Sequence, residues 1–199
     1  MAFRGIIISH ETIRSWCIKF SKHFKDVFKK RERKPSDKWY LDEMTLKING
    51  ETFILWRAVD LDGYELDVFL QKRRNKKAAI RFLSRLLGIY PKPRVIVTDK
   101  LKSYKKPLRS MCPGTEHRSH KGLNNRAENA HQPTRRKEEC LVKFKSIQGV
   151  QRMLSLRGKV LNIFSVEVGR YSKKASQQRL SSKAALPIWL EAAQQVLCI

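Results

Sequence analysis

The 199-residue sequence predicts an α/β domain in which helices pack on a mixed sheet. Three observations carry this. The strand-like runs "KWYLDEMTLKI", "ETFILWRAVD" and "YELDVFLQ" are split by Asn49-Gly50 and Asp62-Gly63, both strong hairpin signals, so they form an antiparallel three-strand meander. "NKKAAIRFLSRLLGIY" then sets Ala79, Phe82, Leu83, Leu86 and Leu87 on one helical face. "PRVIVTD" follows as a short, continuously apolar run. A strand reached through a helix and apolar on both faces belongs in the parallel centre of a sheet.

The flanking segments are read the same way. In "IIISHETIRSWCIKFSKHFKDVFKK" the apolar positions Ile13, Trp16, Cys17, Phe20, Phe24, Val27 and Phe28 repeat at helical spacing, and Ser9 is placed to cap the N-terminus. That stripe needs a partner: the helix either docks on the main domain or is the end of a larger helical unit. "KKRERKPSD", residues 29–37, is charged, contains a proline and reads as a linker. Beyond the apolar strand, "KLKSYKKPLRSM" is expected as a short basic helix and "TEHRSH" as an edge strand or loop. "NNRAENAHQPTRRKEECLVKF" is expected as a helix capped by Asn124 or Asn125, with a bend or a new start at Pro133. Val150, Met153, Leu154, Leu156, Val160 and Leu161 predict one more. The domains are then 1–36, a helical remnant and basic linker; 37–165, the main α/β domain; and 166–199, a helical tail.

Lys and Arg number 43 against 18 Asp and Glu, a formal charge of +25 spread along the chain. Such a charge repels itself unless a polyanion is near, so the expected partner is nucleic acid. Cys17, Cys112, Cys140 and Cys198 contain no C-x-x-C pair and read as reduced thiols of a cytoplasmic protein. The spacing of Cys112, His117, His120 and Cys140 fits no standard zinc pattern. No apolar run approaches the ~20 residues of a membrane span. Trp16, Trp39, Trp56 and Trp189 are read as core residues, and "KRRNKK" at 72–77 as a DNA-facing loop or solvated helix start.

Three acids stand where this architecture exposes side chains for chemistry. Asp42 lies in the first strand, Asp99 ends the central strand at a carboxyl edge, and Glu128 sits in the first turn of the helix from Asn124. If the first and fourth strands are neighbours, Asp42 and Asp99 face each other across roughly 5 Å. Two such carboxylates suit a shared Mg²⁺, and a pair of ions about 3.5–4 Å apart supports phosphoryl transfer. Glu128, His131, Gln132 and Arg135 share one helical face, joining a metal ligand, a proton-transfer candidate and a phosphate contact. A partly buried Asp42 paired with an arginine is the alternative reading of these residues.

At these residues the sequence resembles the DDE transposases of the insertion-sequence-six family. "WYLDEM", "LWRAVDLDGYELDVFLQKRRNKKAAIRFLSRLL", "PRVIVTDKLKSY", "EHRSHKGLNNRAENAHQPTRRKE" and "FKS" are similar to successive blocks of that family's catalytic domain, from about Asp37 to Phe164, with a looser match at "LPIWLEA". The resemblance implies a ribonuclease-H-like fold, two Mg²⁺ or Mn²⁺ ions, and cleavage and strand transfer at the ends of an insertion sequence. It implies Asp42, Asp99 and Glu128 as catalytic metal ligands, with Glu43 on the opposite strand face. Lys100, Lys102, Tyr104, Arg126, His131, Arg135, Arg136 and Lys137 are expected at DNA. The implied partners are terminal inverted repeats, target DNA and further copies of the chain, in the nucleoid-associated cytoplasm of a bacterium. Family members carry a complete helix-turn-helix ahead of this domain, whereas "MAFRGIIISHETIRSW" resembles only its recognition-helix end. The expectation is therefore a truncated copy; the alternative function is an inactive one that only binds DNA through basic residues.

Overall fold

The computed structural model describes residues 5, 7–99, 102–119, 127, 131, 144, 146–164 and 174–197. Its elements in chain order are α1 (His10–Lys30), β1 (Lys38–Ile48), β2 (Glu51–Asp60), β3 (Glu65–Gln71), α2 (Lys76–Leu87), β4 (Val95–Thr98), α3 (Lys102–Met111), β5 (Glu116–Ser119), α4 (Ile147–Ile163) and α5 (Lys174–Leu197). The strands form one sheet in the order β3-β2-β1-β4-β5. β1, β2 and β3 pair antiparallel, while β4 joins β1, and β5 joins β4, in parallel.

Local sequence accounts for these connections. Asn49 and Gly50 both take positive φ, 49° and 83°, which matches the type I′ turn whose twist suits a two-residue hairpin. The second turn is organised by Asp60, whose Oδ1 accepts from the amides of Asp62 and Tyr64, both at 2.9 Å, while Gly63 supplies the left-handed φ of 84°. Asn75 caps α2 by accepting from Ala78 N at 3.0 Å, and Ser9 caps α1 by accepting from Thr12 N at 3.1 Å.

Alternation along the strands divides the core into two layers. Trp39, Leu41, Trp56, Ala58 and Ile96 face α2 and α3, meeting Phe82, Leu83, Leu86, Tyr104 and Leu108. On the other face Met44, Leu46, Phe53, Leu55, Val68 and Leu70 meet Val150 and Leu154 of α4. Tyr40, Val59, Val95 and Val97 continue that face toward Ala127. The C-terminal half of α1 docks outside α4 and against α5: Phe28 lies 5.1 Å and Phe24 5.6 Å from Trp189, ring centroid to centroid. Trp39 and Trp56 are core as expected, but Trp16 is 47% exposed on the outer half of α1.

Residues 31–37 are not a loose linker. Arg33 Nη2 reaches Asp60 Oδ2 at 2.9 Å and Asp62 Oδ2 at 3.0 Å, and Arg94 Nε reaches Asp37 Oδ2 at 2.7 Å. Glu32 accepts from the Tyr90 hydroxyl at 2.9 Å and pairs with Lys159 of α4. The sequence displays the charges of this segment but not their partners, which come from β2, its turn, α4 and the loop before β4.

Burial, followed by the charge of Glu32 for Tyr64 and Tyr90 and of Glu43 for Tyr104, raises these three phenols above the ordinary 10.0. The unfolded chain then loses these protons first, so the associated stability is complete below pH 10.0 and falls as pH rises above it. In an alkaline titration, phenolate absorbance from these side chains should develop together with the loss of circular dichroism. Their ionisation in a chain that keeps its secondary structure would contradict this.

Candidate active site

The parallel pairing of β1 and β4 runs from Lys38↔Val95 to Leu41↔Thr98, so Asp42 and Asp99 are the next residues in register, where β4 ends. Across the antiparallel side, Asp42 lies opposite Arg57 of β2. The two-residue alternation sets Asp42 on the sheet face of Tyr40, the face that Ala127 covers. His131 comes in over the same face, fully buried, with Nε2 3.5 Å from Asp42 Oδ2. The Asp42 side chain is 12% exposed, that of Asp99 33%.

Glu43 points to the opposite layer, as its neighbouring position requires. Its carboxylate, 1% exposed, accepts from Arg74 Nε at 2.8 Å and Nη2 at 2.5 Å, and from the Tyr104 hydroxyl at 3.1 Å. Arg74 Nη2 also lies 3.3 Å from Asp99 Oδ2, so one guanidinium joins the two acids at the sheet edge. Burial and then the charge of Asp99 raise the Glu43 pKa, against the opposing pull of Arg74 and the Tyr104 hydrogen bond. Tyr104 stands edge-on to Trp56 with ring centroids 5.5 Å apart and has no exposed surface.

Two of the residues expected at DNA are buried: the Tyr104 hydroxyl donates to Glu43 Oε2 at 3.1 Å, and His131 Nε2 lies 3.5 Å from Asp42 Oδ2. Lys102 opens α3. Glu128, Lys100, Arg126, Arg135, Arg136 and Lys137 lie outside the described residues, as do His120 and Cys140. Cys112 is buried and His117 Nε2 shares a 2.9 Å hydrogen bond with Thr98 Oγ1. Among the described residues no group of three or more His, Cys, Asp or Glu side chains is arranged to hold a metal.

Sequence reasoning overlooked Arg74, which it placed in a DNA-facing loop or solvated helix start. It stands directly before the Asn75 cap of α2, a position that by itself carries no signal for a partner 31 residues away. What the edge offers chemically is a pair of carboxylates with oxygen donors only, the set preferred by hard divalent cations. A guanidinium already supplies positive charge to Asp99 there.

Sheet order, mixed pairing and helices on both faces define a protein of ribonuclease-H-like α/β fold. A chain of the simian T-cell lymphotropic virus intasome in complex with PP2A regulatory subunit B56 gamma shares this fold, with a TM-score of 0.50 and 15% identity over 73% of this chain and 55% of that one. Residues 36–167 match the family model for the DDE domain of IS240-type transposases. The chain is 32% identical over 133 residues to the Staphylococcus aureus transposase for insertion sequence-like element IS431mec, and equally to the transposase for insertion sequence element IS257 in transposon Tn4003 of the same species. In both cases the match covers 64% of this chain and 59% of the relative, so the chain spans less than two thirds of their length. The chain belongs to the DDE-domain transposases of the insertion-sequence-six type.

Among the described residues no helix is long and apolar enough to cross a membrane.

Proposed function

We propose that this chain carries the catalytic domain of a transposase that cuts and joins DNA at the terminal inverted repeats of an insertion sequence, with Asp42, Asp99 and Glu128 holding two Mg²⁺ or Mn²⁺ ions. The observation that carries the reading is the register of β1 and β4, whose next pair beyond Leu41↔Thr98 is two carboxylates. Adjacent carboxylates repel unless positive charge is near, which favours a cation shared by Asp42 and Asp99; Arg74 already lies 3.3 Å from Asp99 Oδ2. When bound, the ions activate a water or a DNA 3′-hydroxyl for attack and neutralise charge building on the phosphate.

The chain's own groups supply position. Asp42 is held between the Arg57 side of β2 and the buried His131, which limits its carboxylate to few orientations. Asp99 is the more open of the two, and a phosphate is assigned to approach from its side. Lys100, Lys102, Arg126, Arg135, Arg136 and Lys137 are assigned to the phosphates of terminal-repeat and target DNA, with further copies of the chain on the paired ends.

The test compares this chain with its Glu128→Gln form on a DNA end of the element that encodes it, with Mg²⁺, with Mn²⁺ and with chelator. Metal-dependent nicking and strand transfer should be lost in the variant while DNA affinity and its salt dependence persist. If neither form cuts while both bind with a steep salt slope, the catalytic reading fails and charge-driven binding is what remains.

A further inference from the structure

Arg74 has two different relationships at the sheet edge. Toward Glu43 it presents two nitrogens, at 2.8 and 2.5 Å, to a carboxylate that is almost wholly buried. Toward Asp99 it presents one nitrogen, at 3.3 Å, and that carboxylate is one-third exposed. The Glu43 contact is thus short, two-pronged and shielded, with the Tyr104 hydroxyl closing the other carboxylate oxygen at 3.1 Å. The Asp99 contact is single, longer and open to water. The arginine itself is 45% exposed, which leaves it room to pivot.

We propose that Arg74, anchored on Glu43, is a built-in counter-cation that pairs with Asp99 and would compete with a divalent ion for it. This rests on the proposed metal-binding role of Asp99. Loading of the site would break the single Asp99 contact and keep both Glu43 contacts, so Glu43 and Tyr104 act as positioning residues for the guanidinium. The arginine would keep two neighbouring acids from repelling each other before metal arrives, and would set the concentration at which metal takes over.

The competition fixes the sign of each variant's effect. Arg74→Gln removes a positive charge beside the ion and should tighten binding of Mn²⁺ alone about tenfold, because like charges a few ångströms apart repel strongly at a partly buried site. Arg74→Lys keeps the charge without the planar fork and should stay within about threefold of the parent. Glu43→Gln removes the anchor, leaves the guanidinium to Asp99, and should weaken Mn²⁺ binding. The readout is free Mn²⁺ by paramagnetic resonance during titration of the full chain, with no DNA and no activity needed. Purely structural damage would loosen the site in every variant and could not tighten it in one.

Asp99→Asn separates the two ideas. If Asp99→Asn binds Mn²⁺ as the parent does, the metal role of Asp99 falls, and this inference with it. If Asp99→Asn abolishes binding but Arg74→Gln leaves affinity unchanged or weaker, the competition alone is overturned.

Discussion

Asparagine in place of Asp42 should lower metal-dependent strand cleavage by about 10³-fold, the scale on which one group that stabilises transition-state charge acts. The substitution preserves shape and one acceptor oxygen but removes the negative charge that would hold a cation. The cost to the fold should be small. Arg57, across the strand pair from Asp42, is buried and held by Glu65 Oε2 at 3.2 Å, so it keeps a carboxylate when Asp42 loses its own. His131 can accept or donate to an amide as well as to an acid. DNA affinity should stay within about twofold if, as proposed, the phosphate contacts come from Lys and Arg. Single-turnover nicking, filter binding and circular dichroism on the same preparation check all three. A folded Asp42→Asn chain that cuts at the parent rate would remove Asp42 from the site.

How much of this was open to sequence reasoning depends on how local each feature is. The meander is written in Asn49-Gly50 and Asp62-Gly63, where only a few residue types tolerate positive φ. The parallel place of β4 follows from its unbroken apolar run, and every residue of Val95–Thr98 is buried. The adjacency of Asp42 and Asp99 is readable once β1 and β4 are taken as neighbours, since register alone then sets it. Features that depend on partner choice across the chain were not readable. Arg74 meets Glu43 across 31 positions, and nothing in "KRRNKK" distinguishes it from the cations beside it. Tyr104 and His131 look like polar groups near a site, and their burial, beside Glu43 and Asp42 respectively, depends on partners distant in the chain. The segment 31–37 reads as a linker for the same reason: its charges are local but their partners are not.

That segment provides the largest expected loss of stability. The Asp60 side chain has no exposed surface, and its two oxygens are fully used. Oδ1 accepts from Asp62 N and Tyr64 N at 2.9 Å each, closing the β2–β3 turn. Oδ2 accepts from Arg33 Nη2 at 2.9 Å and Ser36 N at 3.1 Å, tying residues 31–37 to the sheet. One carboxylate thus joins a turn to the segment between α1 and β1, and Asp60→Ala strips four donors at once. Among them is a guanidinium stacked 4.9 Å from the Tyr64 ring centroid, with Asp62 still within 3.0 Å. Breaking a buried ion pair from one side costs about 3–5 kcal/mol. For a chain of this size that is a fall in melting temperature of roughly 10 °C or more. Asp60→Asn keeps an acceptor for the turn amides and should cost about 1–3 kcal/mol, because only the charged half of the arrangement is lost. Hydrogen exchange distinguishes the two halves. In Asp60→Ala the amides of Ser36, Asp62 and Tyr64 should all exchange faster, whereas in Asp60→Asn the change should concentrate at Ser36. Equal melting temperatures for Asp60→Ala and the parent would mean that the turn and the 31–37 segment are held by the apolar contacts of α1 instead.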